Sequence, residues 1–182
     1  MATERWEIDA SHSGIHFSVR HLVIAKVRGQ FTRWSGALLV PDGDFTRASV
    51  EAVIDASSIE TGVADRDAHL KSADFFDTAQ YPEIVFKASE FEPQGDAEGR
   101  LRGSLTIKGV TRDAVLTVER HGQLKDPWGN ERAAFSAKTA IDRKDFGLTW
   151  NQALETGGVM VGDRVDLEFE IEAVRQTATK AA

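Results

Sequence analysis

Residues 165–172, VDLEFEIE, decide the fold. Val165, Leu167, Phe169 and Ile171 fall on one side of an extended chain, and Asp166, Glu168, Glu170 and Glu172 fall on the other. Side chains alternate across a strand with period two. A row this regular predicts a sheet with one face toward water and the other toward a dry interior. The same rhythm sets Ile15, Phe17 and Val19 against His16, Ser18 and Arg20, and sets Leu101, Gly103, Leu105 and Ile107 against Arg102, Ser104, Thr106 and Lys108.

Weaker strand patterns lie near residues 26–40, 48–55, 84–91, 113–124 and 132–142. In the first of these the apolar phase slips. Val27 and Phe31 share one register and Trp34, Leu38 and Val40 the other, the mark of a β-bulge that would help a sheet curl. Turn residues separate the runs at Pro41-Asp-Gly43, Gly95-Asp96, Lys108-Gly-Val-Thr111 and Asp126-Pro-Trp-Gly129. The count is about eight or nine strands joined mostly by short turns, with one helical insertion after the fourth. No βαβ rhythm appears, so the chain closes into an antiparallel barrel or folds as a sandwich. A barrel of about eight strands is just wide enough to be filled by side chains or to hold one small ligand. Strands of ten to thirteen residues run roughly 33–44 Å, which suits a long, narrow guest.

The exception to alternation is residues 61–86, TGVADRDAHLKSADFFDTAQYPEIVF. Arg66 and Leu70 stand at i,i+4 with His69 beside them, and Asp74 and Asp77 bracket Phe75 and Phe76. This reads as a short helical lid. Hydrogen bonds from Arg66 and Asp67 tie it down, or Arg66 and His69 meet a polar or anionic head group at a cavity mouth. One phenylalanine is expected under the lid and the other facing a guest.

The chain of 182 residues suits one domain, residues 1–176, with a tail at 177–182. A net charge of −7 with scattered cations argues against nucleic acid. Cysteine is absent, so disulfides, thiolate nucleophiles and cysteine-held metals are excluded. The first residues, MATERWEIDASHSG, show no basic segment followed by an apolar run, and no later window is apolar enough to form a transmembrane segment. The expectation is a soluble, cytoplasmic protein.

Ser11, His12 and Ser13 near Asp9 place hydroxyls beside an imidazole, but no G-x-S-x-G elbow is present, and a polar turn into the first long strand is the expected role. His12, His16, His21, His69 and His121 are the only imidazoles, and their spacing matches no metal motif; His12 and His16 would meet only if the chain folded back at Gly14. No metal and no cofactor are expected. The segment Asp142-Arg-Lys-Asp-Phe-Gly147 reads as a structural corner in which Arg143 and Asp145 bond backbone, Phe146 plugs a barrel end and Gly147 takes positive φ. Beyond it, Trp150 and Asn151 open a loop through Gly157-Gly158 to Val161-Gly162 that could act as a second gate.

Taken in order, Ser13-x-Ile15-x-Phe17-x-Val19-x-His21, Val27-x-Gly29-x-Phe31, Ser58-Ile-x-Thr61-Gly62, Arg66-Asp-x-His-Leu70, Asp74-Phe-Phe-Asp77, Tyr81-Pro-x-Ile84-x-Phe86, Leu105-Thr-Ile-Lys-Gly-Val-Thr111 and Asp142-Arg-x-Asp-Phe-Gly147 resemble the YceI-like family of small polyisoprenoid-binding proteins over residues 6–174. The resemblance implies an all-β fold with a short helical lid, an extended eight-stranded antiparallel up-and-down barrel, lipocalin-like. It also implies a bound polyisoprenoid, an isoprenoid quinone or polyprenyl pyrophosphate, or a similar amphiphile, and no catalytic residues. Many family members work in the periplasm behind a secretory signal. A homodimer is plausible for the family.

The expected ligand-binding wall is Ile15, Phe17, Val19, Phe31, Phe86, Leu105, Ile107, Phe135, Leu167 and Phe169. Leu70, Phe75, Phe76, Phe146 and Trp150 are expected to close its ends, with Arg66 and His69 at the head group. Two rivals stand beside this carrier: a structural or interaction barrel filled by its own aromatic rings, and an enzyme acting on a lipid head group.

Overall fold

The computed structural model describes residues 2–22, 24–155 and 159–177. The gate expected through Gly157 and Gly158, and all of the expected tail but Thr177, lie outside them. The strands are β1 (Thr3–Ile8), β2 (Gly14–His21), β3 (Ala25–Phe31), β4 (Trp34–Pro41), β5 (Ser49–Asp55), β6 (Ile59–Glu60), β7 (Glu83–Pro93), β8 (Glu98–Ile107), β9 (Val110–Lys125), β10 (Glu131–Asp142) and β11 (Val161–Arg175). Among the described residues the one α-helix, α1, spans Ala64–Lys71.

Eight walls make the barrel, because the first six segments join in pairs. β1 and β2 are two halves of one long strand, and β11 runs antiparallel to both, pairing Leu167 with Phe17 and Val174 with Glu7. β3 and β4 form the next wall, pairing Val27 with Val19 and Leu38 with Trp6. β5 and β6 form the third. From β7 onward each strand pairs with the next, and the β11–β1 contact closes the ring. Every neighbour pair is antiparallel, so the architecture is a closed up-and-down barrel, as the family resemblance implies. Full closure removes the exposed strand edges that an open sheet would leave.

Where β1 gives way to β2, a turn of 3₁₀-helix covers Ala10–His12, and Asp9 accepts a hydrogen bond from the Ser11 amide. The next wall breaks at Thr32 and Arg33. The third breaks at another such turn, Ala56–Ser58, capped by Asp55. Thr32 donates its amide to Ser58 O, and Arg33 O accepts from the Asp55 amide. The three interruptions lie side by side and bend three walls together. The phase slip between Phe31 and Trp34 is therefore a break in the strand rather than the expected bulge. True register shifts lie at Ala88/Glu90, Ala134/Phe135 and Val161/Val165. The helical insertion follows the third wall, not the fourth, and β1 is a strand that the alternation rule passed over.

The strand directions sort the loops into two ends. The β2–β3 tip, α1 and its flanks, the Lys108–Gly109 turn and residues 143–155 and 159–160 gather at one end. The turn at Phe45–Arg47, the β7–β8 and β9–β10 turns and the strand ends Thr3 and Arg175 gather at the other. Two apolar clusters match this division. The smaller packs around Trp6, which is 0% exposed, with Leu38, Val40, Ala133 and Ala173. The larger holds Ile15, Phe31, Ile54, Phe75, Leu105 and Phe146 toward the helix.

Candidate functional site

The inner face of the barrel is not filled. A cavity of about 600 Å3 runs along it. Its wall includes Phe17, Val19, Phe86, Phe135, Val165, Leu167, Phe169 and Ile171, inward-facing apolar residues that nonetheless remain half-exposed. In a close-packed interior such side chains lose nearly all contact with solvent, so their residual exposure is that of a bore. Their outward neighbours Glu168 and Glu170 face solvent. The alternation of β11 thus separates water from cavity.

At the helix end the wall is closed by aromatic rings. His69 sits edge-on to Trp150 at 4.6 Å and to Phe75 at 5.1 Å, and Phe75 lies 5.4 Å from Trp150. Phe76 meets Phe31 edge-on at 6.0 Å. Helix α1 has no buried residue, and Val63 ahead of it makes no side-chain cap. Its anchorage comes from Thr61: Arg66 Nε donates to Thr61 Oγ1 and Nη2 to Thr61 O, both at 2.7 Å, while Asp67 Oδ1 accepts from the Thr61 amide at 2.9 Å and from its hydroxyl. The tie expected of Arg66 and Asp67 is present, and both Arg66 and His69 also border the cavity. His69 Nε2 lies 2.8 Å from Asp74 Oδ2.

Of the expected wall and closing residues, Ile15, Phe17, Val19, Phe31, Leu70, Phe75, Phe76, Phe86, Leu105, Ile107, Phe135, Trp150, Leu167 and Phe169 border the cavity. Phe146 does not; it is buried in the surrounding core. It closes the 3₁₀ turn Arg143–Phe146, which ends at Gly147 with φ +76, the left-handed geometry glycine allows. Within that corner Arg143 bonds backbone as expected, but Asp142 accepts the Lys144 amide where Asp145 was expected to act. Arg143 borders the cavity unforeseen, and burial pushes its pKa down against the opposing charges of Asp163 and Asp142.

The other end has walls that periodicity did not show. Phe45 meets Trp6 edge-on (5.1 Å) and Phe135 at a tilt (5.6 Å), and the Arg120 guanidinium lies over its ring at 4.8 Å. Phe91 also faces the cavity. It sits beyond the β7 register shift, so it falls out of phase with Ile84 and Phe86, and Gly99 makes room for its ring: a Cβ there would lie 2.2 Å from Phe91 Cζ.

Two alternative chemistries can be weighed on geometry. Ser11 Oγ and Asp9 Oδ2 both approach the same ring nitrogen, His12 Nδ1, at 3.1 and 2.7 Å. A relay needs the hydroxyl on one nitrogen and the carboxylate on the other, so this cluster is a turn. Asp9, His12 and Glu172 also lie close enough to share a metal ion. Arg132 already stands between the acids, 3.1 Å from Asp9 and 2.7 Å from Glu172, with Asp126 at 2.8 Å. His12 meets these acids rather than His16, which is exposed on the outer face.

The same network sets an acid limit on stability. Arg132, with amides from Asn130 and Trp128, holds the Asp126 carboxyl down to about 2. The Ser11 hydroxyl, His12 and Arg132 hold Asp9 well below the usual carboxylate range. Groups depressed on folding stabilise the fold above their unfolded pKa, near 3.8 here, and lose that contribution as pH falls through the folded value. The window is therefore about pH 4 down to pH 2. In Arg132→Ala that contribution is missing throughout the range above about pH 4, so the melting temperature at neutral pH should fall, and the midpoint of acid unfolding, followed by circular dichroism, should move up toward pH 4.

A family model, the YceI-like domain, matches residues 6–173. The chain belongs to the YceI-like family. This YceI-like chain is 39% identical over 166 residues to a UPF0312 protein of Staphylococcus aureus strain N315, covering 91% of this chain and 93% of the relative. Among solved structures, the YCEI protein of Campylobacter jejuni is 30% identical with a TM-score of 0.74, covering 87% of this chain and 90% of that one. BcnA of Burkholderia cenocepacia has a TM-score of 0.79 at 21% identity, covering 91% and 98%. A polyisoprenoid binding domain from Saccharophagus degradans has a TM-score of 0.66 at 17% identity, covering 94% and 98%. The YceI-like barrel is thus the shared fold, and among the described residues no helix is long and apolar enough to cross a membrane.

Proposed function

We propose that this barrel binds, stores or transports a polyisoprenoid, an isoprenoid quinone, a polyprenyl pyrophosphate or a similar long-chain amphiphile, without catalysing a reaction on it. The observation that carries the reading is the row of half-exposed apolar side chains around an open bore. A prenyl tail has almost no hydrogen-bonding capacity, so it needs an unbroken apolar wall rather than a polar pocket. Each buried methylene contributes about 0.8 kcal/mol, less the chain freedom lost on binding. At about 30 Å3 per water-sized group, the cavity holds roughly twenty carbons, some four isoprene units. The Saccharophagus degradans domain of the same fold, a polyisoprenoid binding domain, supports the choice of guest.

Ile15, Phe17, Phe86, Leu105 and Phe169 would grip the tail, with Phe75, Phe76 and Trp150 at the lid. The head group is assigned to the helix end, where Arg66 uses Nε and Nη2 on Thr61 and keeps Nη1 for an anionic or carbonyl oxygen. A barrel filled by its own rings does not fit a space of this volume. Organic extraction of the purified protein followed by mass spectrometry should yield near one equivalent of a long-chain prenyl lipid. Extracts holding no lipid in stoichiometric amount overturn the carrier.

A further inference from the structure

From Ala10 to Pro41 the chain carries no aspartate or glutamate, yet it carries Arg20, Lys26, Arg28 and Arg33, in a protein of net charge −7. Arg33 is paired with Asp55 at 3.0 Å. Arg20, Lys26 and Arg28 are exposed and make no ion pair among the described residues. The β2–β3 register sets Arg20 opposite Lys26 and Ser18 opposite Arg28. Their alternate neighbours Val19 and Val27 border the cavity, so Lys26 and Arg28 lie on the outer face, while Arg20 at the end of β2 stands at the rim of the bore.

At the tip between these strands Leu22 and Ile24 are turned to water. Ile24 is 89% exposed and Leu22 41%. Leu22 has φ +54, a conformation bulky residues seldom adopt, and its amide donates to Met160 O at 2.8 Å, which ties the tip to the segment bearing exposed Val159. Single exposed apolar residues are ordinary. What sets this tip apart is an apolar point beside three cations that make no ion pair among the described residues, at the rim of the bore, where Arg20, His21 and Met160 border the cavity. Asp65 is an exposed acid on that rim. On adjoining β11, Asp163 lies 3.3 Å from Lys144, and the acidic row begins at Asp166, opposite Ser18 and three residues back from His21, about 10 Å.

We propose that the β2–β3 tip docks the barrel on an anionic lipid bilayer, with Leu22 and Ile24 entering the interfacial layer and Arg20, Lys26 and Arg28 facing lipid phosphates. Apolar insertion combined with cations is how peripheral proteins hold such surfaces. The proposal deepens the carrier reading by giving the bore a membrane-facing end, and docking itself does not depend on which guest is inside. Trp128, 82% exposed in the β9–β10 turn at the opposite end between Asp126 and Glu131, is the built-in control.

The test is co-sedimentation with vesicles of phosphatidylcholine alone and of phosphatidylcholine with an equal part of phosphatidylglycerol. The protein should bind only the anionic vesicles, and added salt should release it. The double variant Lys26→Gln/Arg28→Gln should bind roughly 25-fold more weakly, at roughly fivefold for each cation. Ile24→Asp should lose at least tenfold, and Trp128→Ala should bind as the parent. Equal binding to neutral vesicles, indifference to the tip substitutions, or loss in Trp128→Ala overturns the proposal. So does self-association of the free protein that the tip substitutions abolish, which would make a second copy the occupant. Extractable lipid should be unchanged in Ile24→Asp, so an empty barrel that still docks sinks the carrier alone, and a loaded barrel that does not dock sinks the docking alone.

Discussion

Ala137→Trp should empty the barrel while leaving it folded. Ala137 lies midway along β10, opposite Val118 and Phe169, with its small side chain bordering the cavity. Introducing bulk into a packed core forces strain, but here the indole enters open space and gains contacts. It takes room that a guest would occupy. Excluding four methylenes removes about 3 kcal/mol, about a hundredfold in affinity. Lipid extracted per mole of protein should fall at least tenfold, with a melting temperature within a few degrees of the parent. Leu105→Asp should abolish loading too, by placing a carboxylate in the apolar wall, but Leu105 is itself buried and that variant also loses stability. The tryptophan variant therefore discriminates. Unchanged lipid content in a folded Ala137→Trp protein means that the guest does not lie along this wall.

The barrel was legible where each strand has one wet and one dry face. β11, β2 and β8 show their faces residue by residue, and the bore follows those faces, which is why most of the expected wall borders it. Legibility stopped where geometry comes from neighbours. The breaks at Ala10–His12, Thr32–Arg33 and Ala56–Ser58 form one line across three walls, and a strand read alone shows only a phase slip. A local signal did exist: Asp9-Ala-Ser11 and Asp55-Ala-Ser57 share the spacing by which an aspartate accepts the amide two residues on. Phe91 was hidden by the shift at Ala88/Glu90, which moves it into the opposite phase. Phe45 was hidden because a three-residue turn has no period. Arg143 was placed correctly as a bond donor to backbone, but nothing in its spacing shows that Leu148, Trp150 and Val161, whose carbonyls it holds, belong to the wall of the bore.

Those carbonyls make Arg143 the residue whose loss should destabilise the helix end most. It is 3% exposed. Nε donates to Gly162 O at 2.8 Å, Nη1 to Leu148 O at 2.6 Å and to Trp150 O at 2.9 Å, and Nη2 to Val161 O at 3.3 Å. Val161 O keeps a second donor in Asn151 Nδ2 at 2.7 Å; the other three carbonyls have only the guanidinium among the side-chain bonds of the described residues. A buried acceptor left without its partner loses about 1–3 kcal/mol, and water entering at the barrel end recovers part of that. Arg143→Met should therefore destabilise by about 3–5 kcal/mol, lowering the melting temperature by roughly 10 °C for a chain of this size. Arg143→Lys should recover less than half, since one ammonium cannot span the Leu148–Trp150 and Val161–Gly162 carbonyls as a planar fork does. A second readout separates closure from mere stability. Arg143 fixes the backbone of Trp150, and Trp150 packs on His69 and Phe75, so its loss should loosen the aromatic seal. Protein loaded with lipid and passed through excess empty vesicles should surrender its guest at least tenfold faster in Arg143→Met, measured well below either melting temperature. A variant that melts early yet releases lipid at the parent rate would show that the guest does not leave past Trp150, and would move the exit to the Phe45 and Arg120 end.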